Sequence, residues 1–226
     1  VEGYPTKQEL VSRLANREDN FTERKLEGVK DREIRKTIVA FANSVPEGRT
    51  AVLYLGIGDK GDIIGVSNTD TLQKRVRKIC ETCCYPPIKA IPEVIETGGK
   101  FLLAVVITAG DNRPYFSGLA YIRKGSESVA ASEELFDEMI TNRLAKPHEI
   151  LRWKEKIVTL LVKNKITLSS KKVPFNYNVN YECRIEECTP NRIRLYDIAS
   201  GRTISYPLER LSISYDEKKY RLMLIV

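Results

Sequence analysis

Ala51-Val52-Leu53-Tyr54-Leu55-Gly56-Ile57 is a near-continuous apolar run. A strand with one wet face alternates polar and apolar residues, so this run predicts a central strand buried on both faces. A turn at Asp59-Lys60-Gly61 leads into Asp62-Ile63-Ile64-Gly65-Val66, which reads as the second strand of a hairpin.

Before the run, Ser44-Val45-Pro46-Glu47-Gly48 breaks a helix expected from Asp31 to Asn43, where Ile34, Ile38, Phe41 and Ala42 fall on one face. Further upstream, Asn20 to Leu26 alternates apolar and charged positions and suits a strand. Thr6-Lys7-Gln8-Glu9 has the spacing of a capping box, so a first helix should start there and end near Asn16.

After the run, residues 69–83 carry Leu72, Val76, Ile79 and Cys83 on one face, with Lys74, Arg75, Arg77 and Lys78 projecting elsewhere. This is an amphipathic, strongly basic helix. Strands are expected at Ala90–Glu96, Phe101–Thr108 and Gly118–Arg123, then a helix from Ser132 to Asn142. A long helix should run from Pro147 to about Lys165, with proline at its start. Leu151, Trp153, Ile157 and Leu161 share approximate helical spacing on it and read as core. From Tyr181 onward short alternating strands take over, ending in Leu222–Val226, the pattern of a small barrel or sheet. The tyrosines there, Tyr181, Tyr196, Tyr206, Tyr215 and Tyr220, suit base stacking but fit strand packing better.

The formal charge of +7 draws the chain towards phosphate backbones. No apolar run approaches the ~20 residues that span a bilayer, and the first residues lack a signal-peptide pattern. A soluble, cytoplasmic protein without a membrane partner is expected. Five cysteines, with Cys80, Cys83 and Cys84 crowded together, indicate a reducing compartment. His148 is the only histidine, so the cluster reads as free thiols rather than a zinc site.

Several blocks recur together in the order of a known family. They are Glu23-Arg24-Lys25, then Ile38-Val39-Ala40-Phe41-Ala42-Asn43, then Leu55-Gly56-Ile57-Gly58-Asp59 with Gly61-Asp62-Ile63-Ile64-Gly65-Val66. Arg113-Pro114-Tyr115 and Gly118-Leu119-Ala120-Tyr121-Ile122-Arg123-Lys124-Gly125-Ser126 complete the set. Over about residues 16 to 131 the chain resembles the Schlafen AlbA-type domain. It departs from the family pattern at Val45-Pro46-Glu47-Gly48, where a glycine pair is usual, and at Gly58, where an acid is common. The fold expected is α/β (α+β): an AlbA-like mixed sheet flanked by helices, residues 1–143, a linking helix, 144–175, and a small all-β, barrel-like domain, 176–226.

The resemblance implies binding of DNA or RNA through basic surfaces, with a homodimer as the route to a saddle. It also implies an alternative, a divalent-metal-dependent endoribonuclease cutting structured RNA such as tRNA. Glu18, Glu23 and Asp59 match the family's three carboxylates. Carboxylates would hold Mg²⁺ or Mn²⁺, which activates water and offsets charge on the phosphate; no other cofactor is expected. Lys25, on the same strand face as Glu23, would steady the scissile phosphate. Binding without cleavage is the leading expectation.

For nucleic-acid contact the candidates are Lys74, Arg75, Arg77 and Lys78, with Arg123 and Lys124 beside Gly125-Ser126. The cations would hold phosphates, and Ser126 offers a hydroxyl. Gly56-Ile57-Gly58-Asp59-Lys60-Gly61 fits G-x-G-x-x-G, but a strand rather than a helix is expected next, so the glycines read as turn formers and not as a nucleotide cradle.

Overall fold

Thr6 caps the first helix as its spacing predicts. The Glu9 amide donates to the Thr6 hydroxyl at 3.3 Å and the Thr6 amide donates to the Glu9 carboxylate at 2.6 Å, closing a capping box over α1 (Lys7–Ser12). The computed structural model describes residues 4–15, 19–58, 60–110, 112–167 and 174–226. The chain divides into two units, residues 1–140 and 141–226, and the division falls within a helix.

The first unit continues with β1 (Thr22–Lys25), α2 (Asp31–Ser44), β2 (Thr50–Leu55) and α3 (Thr69–Thr82). Then come β3 (Ala90–Thr97), β4 (Lys100–Thr108), β5 (Tyr121–Lys124), β6 (Glu127–Ala130) and the start of α4 (Glu133–Leu151). Its main sheet has the order β1-β2-β4-β3, with β1 parallel to β2 and the other pairs antiparallel. Every residue of β2 is buried, because both sheet faces are covered. Leu53 and Leu55 share a core with Ile34, Ile38 and Phe41 of α2 and Leu72, Val76 and Ile79 of α3. Val52 and Tyr54 point the other way and join Leu10 of α1. The Tyr54 hydroxyl donates to the Leu10 carbonyl at 2.8 Å, and burial pushes that phenol up to about 12.

The hairpin expected after β2 does not form. Leu55 is already paired with Lys25 on one side and Leu103 on the other, so β2 has no free edge. The chain instead folds back over one isolated bridge, Ile57 to Ile63, and the Gly56 carbonyl accepts from the amides of Ile64 and Gly65 at 3.0 and 2.9 Å. The strand expected from Gly118 begins at Tyr121 and pairs with β6 through the two-residue turn Gly125-Ser126. Gly125 has φ 60°, a value glycine adopts readily at the first position of such a turn.

The helix expected at 147–165 is also corrected. α4 runs unbroken to Leu151 with Pro147 inside it, and the chain is extended as β7 (Ile157–Thr167). In Ile157-Val158-Thr159-Leu160-Leu161-Val162 the β-branched residues and the two-residue alternation favour a strand: Val158 and Leu160 enter the core of the second unit. Trp153 lies in the turn before β7 and packs on that core, 5.8 Å from the Tyr215 ring.

The second unit adds β8 (Pro174–Cys188), β9 (Arg192–Asp197), β10 (Arg202–Pro207), β11 (Ser212–Asp216) and β12 (Arg221–Ile225). They form with β7 one sheet of order β10-β9-β8-β7-β12-β11. β10 and β11 lie at opposite edges, so the sheet is open and the barrel-like form is not adopted. Charge is unevenly divided: residues 1–140 hold 20 Lys and Arg against 21 Asp and Glu, whereas 141–226 hold 17 against 9. The net charges are thus −1 and +8.

Candidate functional site

β1 carries Glu23 beside Leu53 of β2, and the residue is only 8% exposed. Its carboxylate is held by two cations. Lys25 Nζ donates to Oε1 at 2.7 Å and Arg123 Nη1 to Oε2 at 2.8 Å. The Arg123 side chain is itself 1% exposed. Its guanidinium also donates to the Asp19 carbonyl at 2.8 Å and the Ser128 hydroxyl at 3.0 Å, and stacks over Phe41 at 4.9 Å. Its backbone amide donates to Ser44 Oγ at 2.8 Å. Arg123 therefore ties β5 to β1, β6 and α2 rather than offering a charge to solvent.

Of the expected carboxylates, Glu18 and Asp59 lie outside the described residues. Glu23 and Lys25 are brought together, each already bonded to the other. Arg75 is also engaged: Nε donates to Asp31 Oδ1 at 2.7 Å, Nη1 to the Glu27 carbonyl at 2.9 Å, and Nη2 to the Val29 carbonyl. It joins α3 to the start of α2.

Three cations of α3 remain outside. Lys74 pairs with Asp70 at 2.7 Å, a contact in which both side chains are more than two-thirds exposed and which contributes little in water. Arg77 and Lys78 are exposed, and no ion-pair partner for either occurs among the described residues. Positions 74, 77 and 78 are related by three and four residues, so they share one helix face. Lys124 and Ser126 are exposed at the β5–β6 turn.

A cavity of about 340 Å³ in the first unit was not foreseen; Arg13, Asp19, Thr22, Arg49 and Thr50 line it. Arg13 Nη1 donates to Thr50 Oγ1 at 2.9 Å, and Arg49 lies 5.7 Å from the Phe21 ring. Two arginines 36 positions apart carry no local signal in a chain that is 30% charged. Asn43, expected only as the end of a helix and of a family block, donates through its amide group to the carbonyls of Tyr115 and Tyr121 and accepts from the Tyr115 amide, each at 2.8 Å. Arg113 donates to the Ala42 carbonyl at 2.8 Å and to that of Val45. The Arg113-Pro114-Tyr115 block thus closes the end of α2.

The cysteines are free thiols. Burial pushes Cys80 and Cys84 up to about 12, so in the free protein both stay thiols. Among the described residues no group of three His, Cys, Asp or Glu could hold a metal ion, and no helix is long and apolar enough to cross a membrane.

A family model, Schlafen AlbA_2, matches residues 18–132. No curated protein matches. Among solved structures, the N-terminal domain of a RecG-related protein from Nitrosomonas europaea is 23% identical, covering 57% of this chain and 92% of that one, with a TM-score of 0.44. The DIP2311 protein of Corynebacterium diphtheriae is 13% identical, with coverage of 75% and 43% and a TM-score of 0.43. This chain spans less than half of the latter's length.

Proposed function

Because the chain belongs to the Schlafen AlbA_2 family, we propose that it binds nucleic acid, and that the first unit contacts phosphates through Lys74, Arg77 and Lys78 on α3 with Lys124 and Ser126 nearby in role at the β5–β6 turn. The observation that carries this reading is the α3 face: three exposed cations at three- and four-residue spacing, two of them without an acid partner among the described residues. With a net charge of −1, the first unit has no general basic field, so a local stripe must do the binding. Such contacts are read as phosphate binding, independent of base sequence. A saddle built from this AlbA-like unit needs a second copy of it, so the stoichiometry of the complex tests a homodimer as well.

Binding is favoured over cleavage because both oxygens of Glu23 face cations. A divalent ion would join that carboxylate against the repulsion of Lys25 and Arg123. Glu23 in this state does not fit a Mg²⁺ or Mn²⁺ site.

The test is a native gel of structured RNA and of duplex DNA with the wild-type chain, the triple variant Lys74→Gln/Arg77→Gln/Lys78→Gln, and Glu23→Ala, each in Mg²⁺, Mn²⁺ or chelator. Retarded, intact nucleic acid that the triple variant releases supports binding. Metal-dependent fragments that vanish in Glu23→Ala would replace this reading with the endoribonuclease. No retardation at low salt, where phosphate contacts are strongest, would leave a protein–protein adaptor.

A further inference from the structure

The sheet of the second unit packs one face, while on the other face several side chains are exposed around a covered Thr159. Val158, Leu160, Cys183, Ile185, Ile193 and Leu195 build the core. Side chains alternate along a strand, so the residues between them point to the opposite face. There the register aligns Ile157, Arg184, Tyr196 and Thr203 across β7, β8, β9 and β10. Tyr196 is 38% exposed, and its neighbour Arg184 is exposed with no ion-pair partner among the described residues. Cβ atoms of directly opposed residues lie about 5 Å apart. A planar group resting on the Tyr196 ring would therefore have a guanidinium beside it and, on its other flank, Thr203, whose hydroxyl donates to the Glu186 carboxylate at 3.3 Å.

The same face continues along β7 and β8. Leu161 lies opposite Asn180, and the exposed Lys163 opposite Asn178. From Arg184, opposite Ile157, to Lys163 is about 20 Å at the usual rise of a strand. Acids do not cancel these two ends: Glu186 and Glu187 pair with Arg192 and Arg194, and Glu182 pairs with Arg221. Between the ends, Thr159 is 3% exposed and its hydroxyl has no hydrogen-bond partner among the described residues.

We infer that this second face binds single-stranded nucleic acid, one base stacking on Tyr196 and the backbone running between Arg184 and Lys163. The unit's charge of +8 supplies the complementarity. The pattern of ring and flanking cations, with the Glu182–Arg221 pair, Leu161 and Asn180 between them, needs unstacked bases, which a duplex does not present. The inference extends the nucleic-acid reading to a second surface and does not depend on α3.

The experiment measures anisotropy of fluorescein-labelled 20-mers, oligo(U), oligo(dT) and a mixed-sequence DNA duplex, with the full chain at low salt. Tyr196→Leu, Tyr196→Phe and Arg184→Gln are compared with wild type and with the α3 triple variant. Loss of a stacking ring weakens single-strand binding about tenfold; Tyr196→Leu should show this, Tyr196→Phe should not, and duplex binding should be unchanged in both. Arg184→Gln should lower the salt dependence of single-strand binding by about one phosphate contact. Unequal loss for oligo(U) and oligo(dT) would say which sugar the face prefers within the same proposal. Wild-type affinity in Tyr196→Leu, or equal loss for duplex and single strand, overturns the inference. Should Tyr196→Leu lose its circular-dichroism signature, Arg184→Gln decides alone. A loss confined to the α3 variant would keep the first surface and remove this one.

Discussion

Glu23 Oε2 and Arg123 Nη1 lie 2.8 Å apart across 100 residues of chain. Both groups are nearly withdrawn from water; removing Glu23 leaves the Arg123 guanidinium without its carboxylate, and removing Arg123 leaves Glu23 with Lys25 alone. Glu23→Leu should therefore destabilise the first unit by about 3 kcal/mol or more, and Arg123→Met by less, since Lys25 still pairs the carboxylate. The double variant Glu23→Leu/Arg123→Met should cost clearly less than the sum of the corresponding single changes, because neither charge is then stranded. Urea unfolding of the four proteins measures the coupling; strict additivity would show that the pair is not a unit.

That relationship marks the limit of what could be read from the chain. β2, α2 and α3 were legible because a run buried on both faces and apolar residues at helical spacing are local patterns. The missing hairpin was not, since the free edge it needed is occupied by β1 and β4, which only the assembled sheet reveals. Leu151, Ile157 and Leu161 fit approximate helical spacing while Val158 and Leu160 fit a strand. A short apolar run does not separate the two periods. Arg123 looked like a surface cation because nothing near it in sequence announces Glu23. Glu23 and Lys25, two residues apart on one strand, were legible as neighbours, although not as a bonded pair.

Asn43 makes three hydrogen bonds to backbone groups of the Tyr115 and Tyr121 segments. Asn43→Ala would remove these three bonds from buried and part-buried backbone groups, at a cost of about 2–3 kcal/mol. Hydrogen exchange should show the loss concentrated at the Tyr115 amide and its surroundings. A uniform change across the unit would argue that Asn43 acts by packing alone.

Glu27 accepts from the Ser67 amide and the Ser67 hydroxyl, both at 2.9 Å. The amide bond leads in holding this carboxyl below its ordinary value of 4.5, with the hydroxyl and the Arg75 charge assisting. A folded-state value below the unfolded one means stabilisation that is present above the unfolded value and lost as pH falls through the folded value. The stability gap between wild type and Glu27→Gln should thus be widest near neutrality and close on acidification below 4.5. Equal gaps at pH 7 and pH 3 would remove Glu27 from the acid response.

Cys80 and Cys84 sit in the α3 core, where burial raises both thiols to about 12. At pH 8 almost none of either is thiolate, the form that alkylates. Cys83 is only partly buried. Brief iodoacetamide treatment of the native chain, read by peptide mass spectrometry, should label Cys83 ahead of Cys80 and Cys84. Equal labelling of all three would mean that α3 opens faster than the reagent reacts.

Gly56 and Gly58 belong to the same G-x-G-x-x-G spacing but answer to different constraints. Gly56 has φ 102°, and a Cβ there would lie 2.9 Å from both Leu102 Cδ2 and Val66 Cγ1. Its carbonyl also anchors the amides of Ile64 and Gly65. Gly56→Ala combines backbone strain with overpacking and should cost about 2 kcal/mol or more. At Gly58 the nearest contact of an added Cβ is the Asp62 carbonyl at 3.7 Å, an ordinary van der Waals distance, so Gly58→Ala should change stability little. A phosphate-cradling loop would need close backbone approach at both glycines, and nucleotide binding would suffer in both variants. Thermal unfolding with and without ATP separates the cases: a large loss confined to Gly56→Ala, with no nucleotide-induced shift in any protein, identifies the glycine as the pivot that turns the chain back over β2.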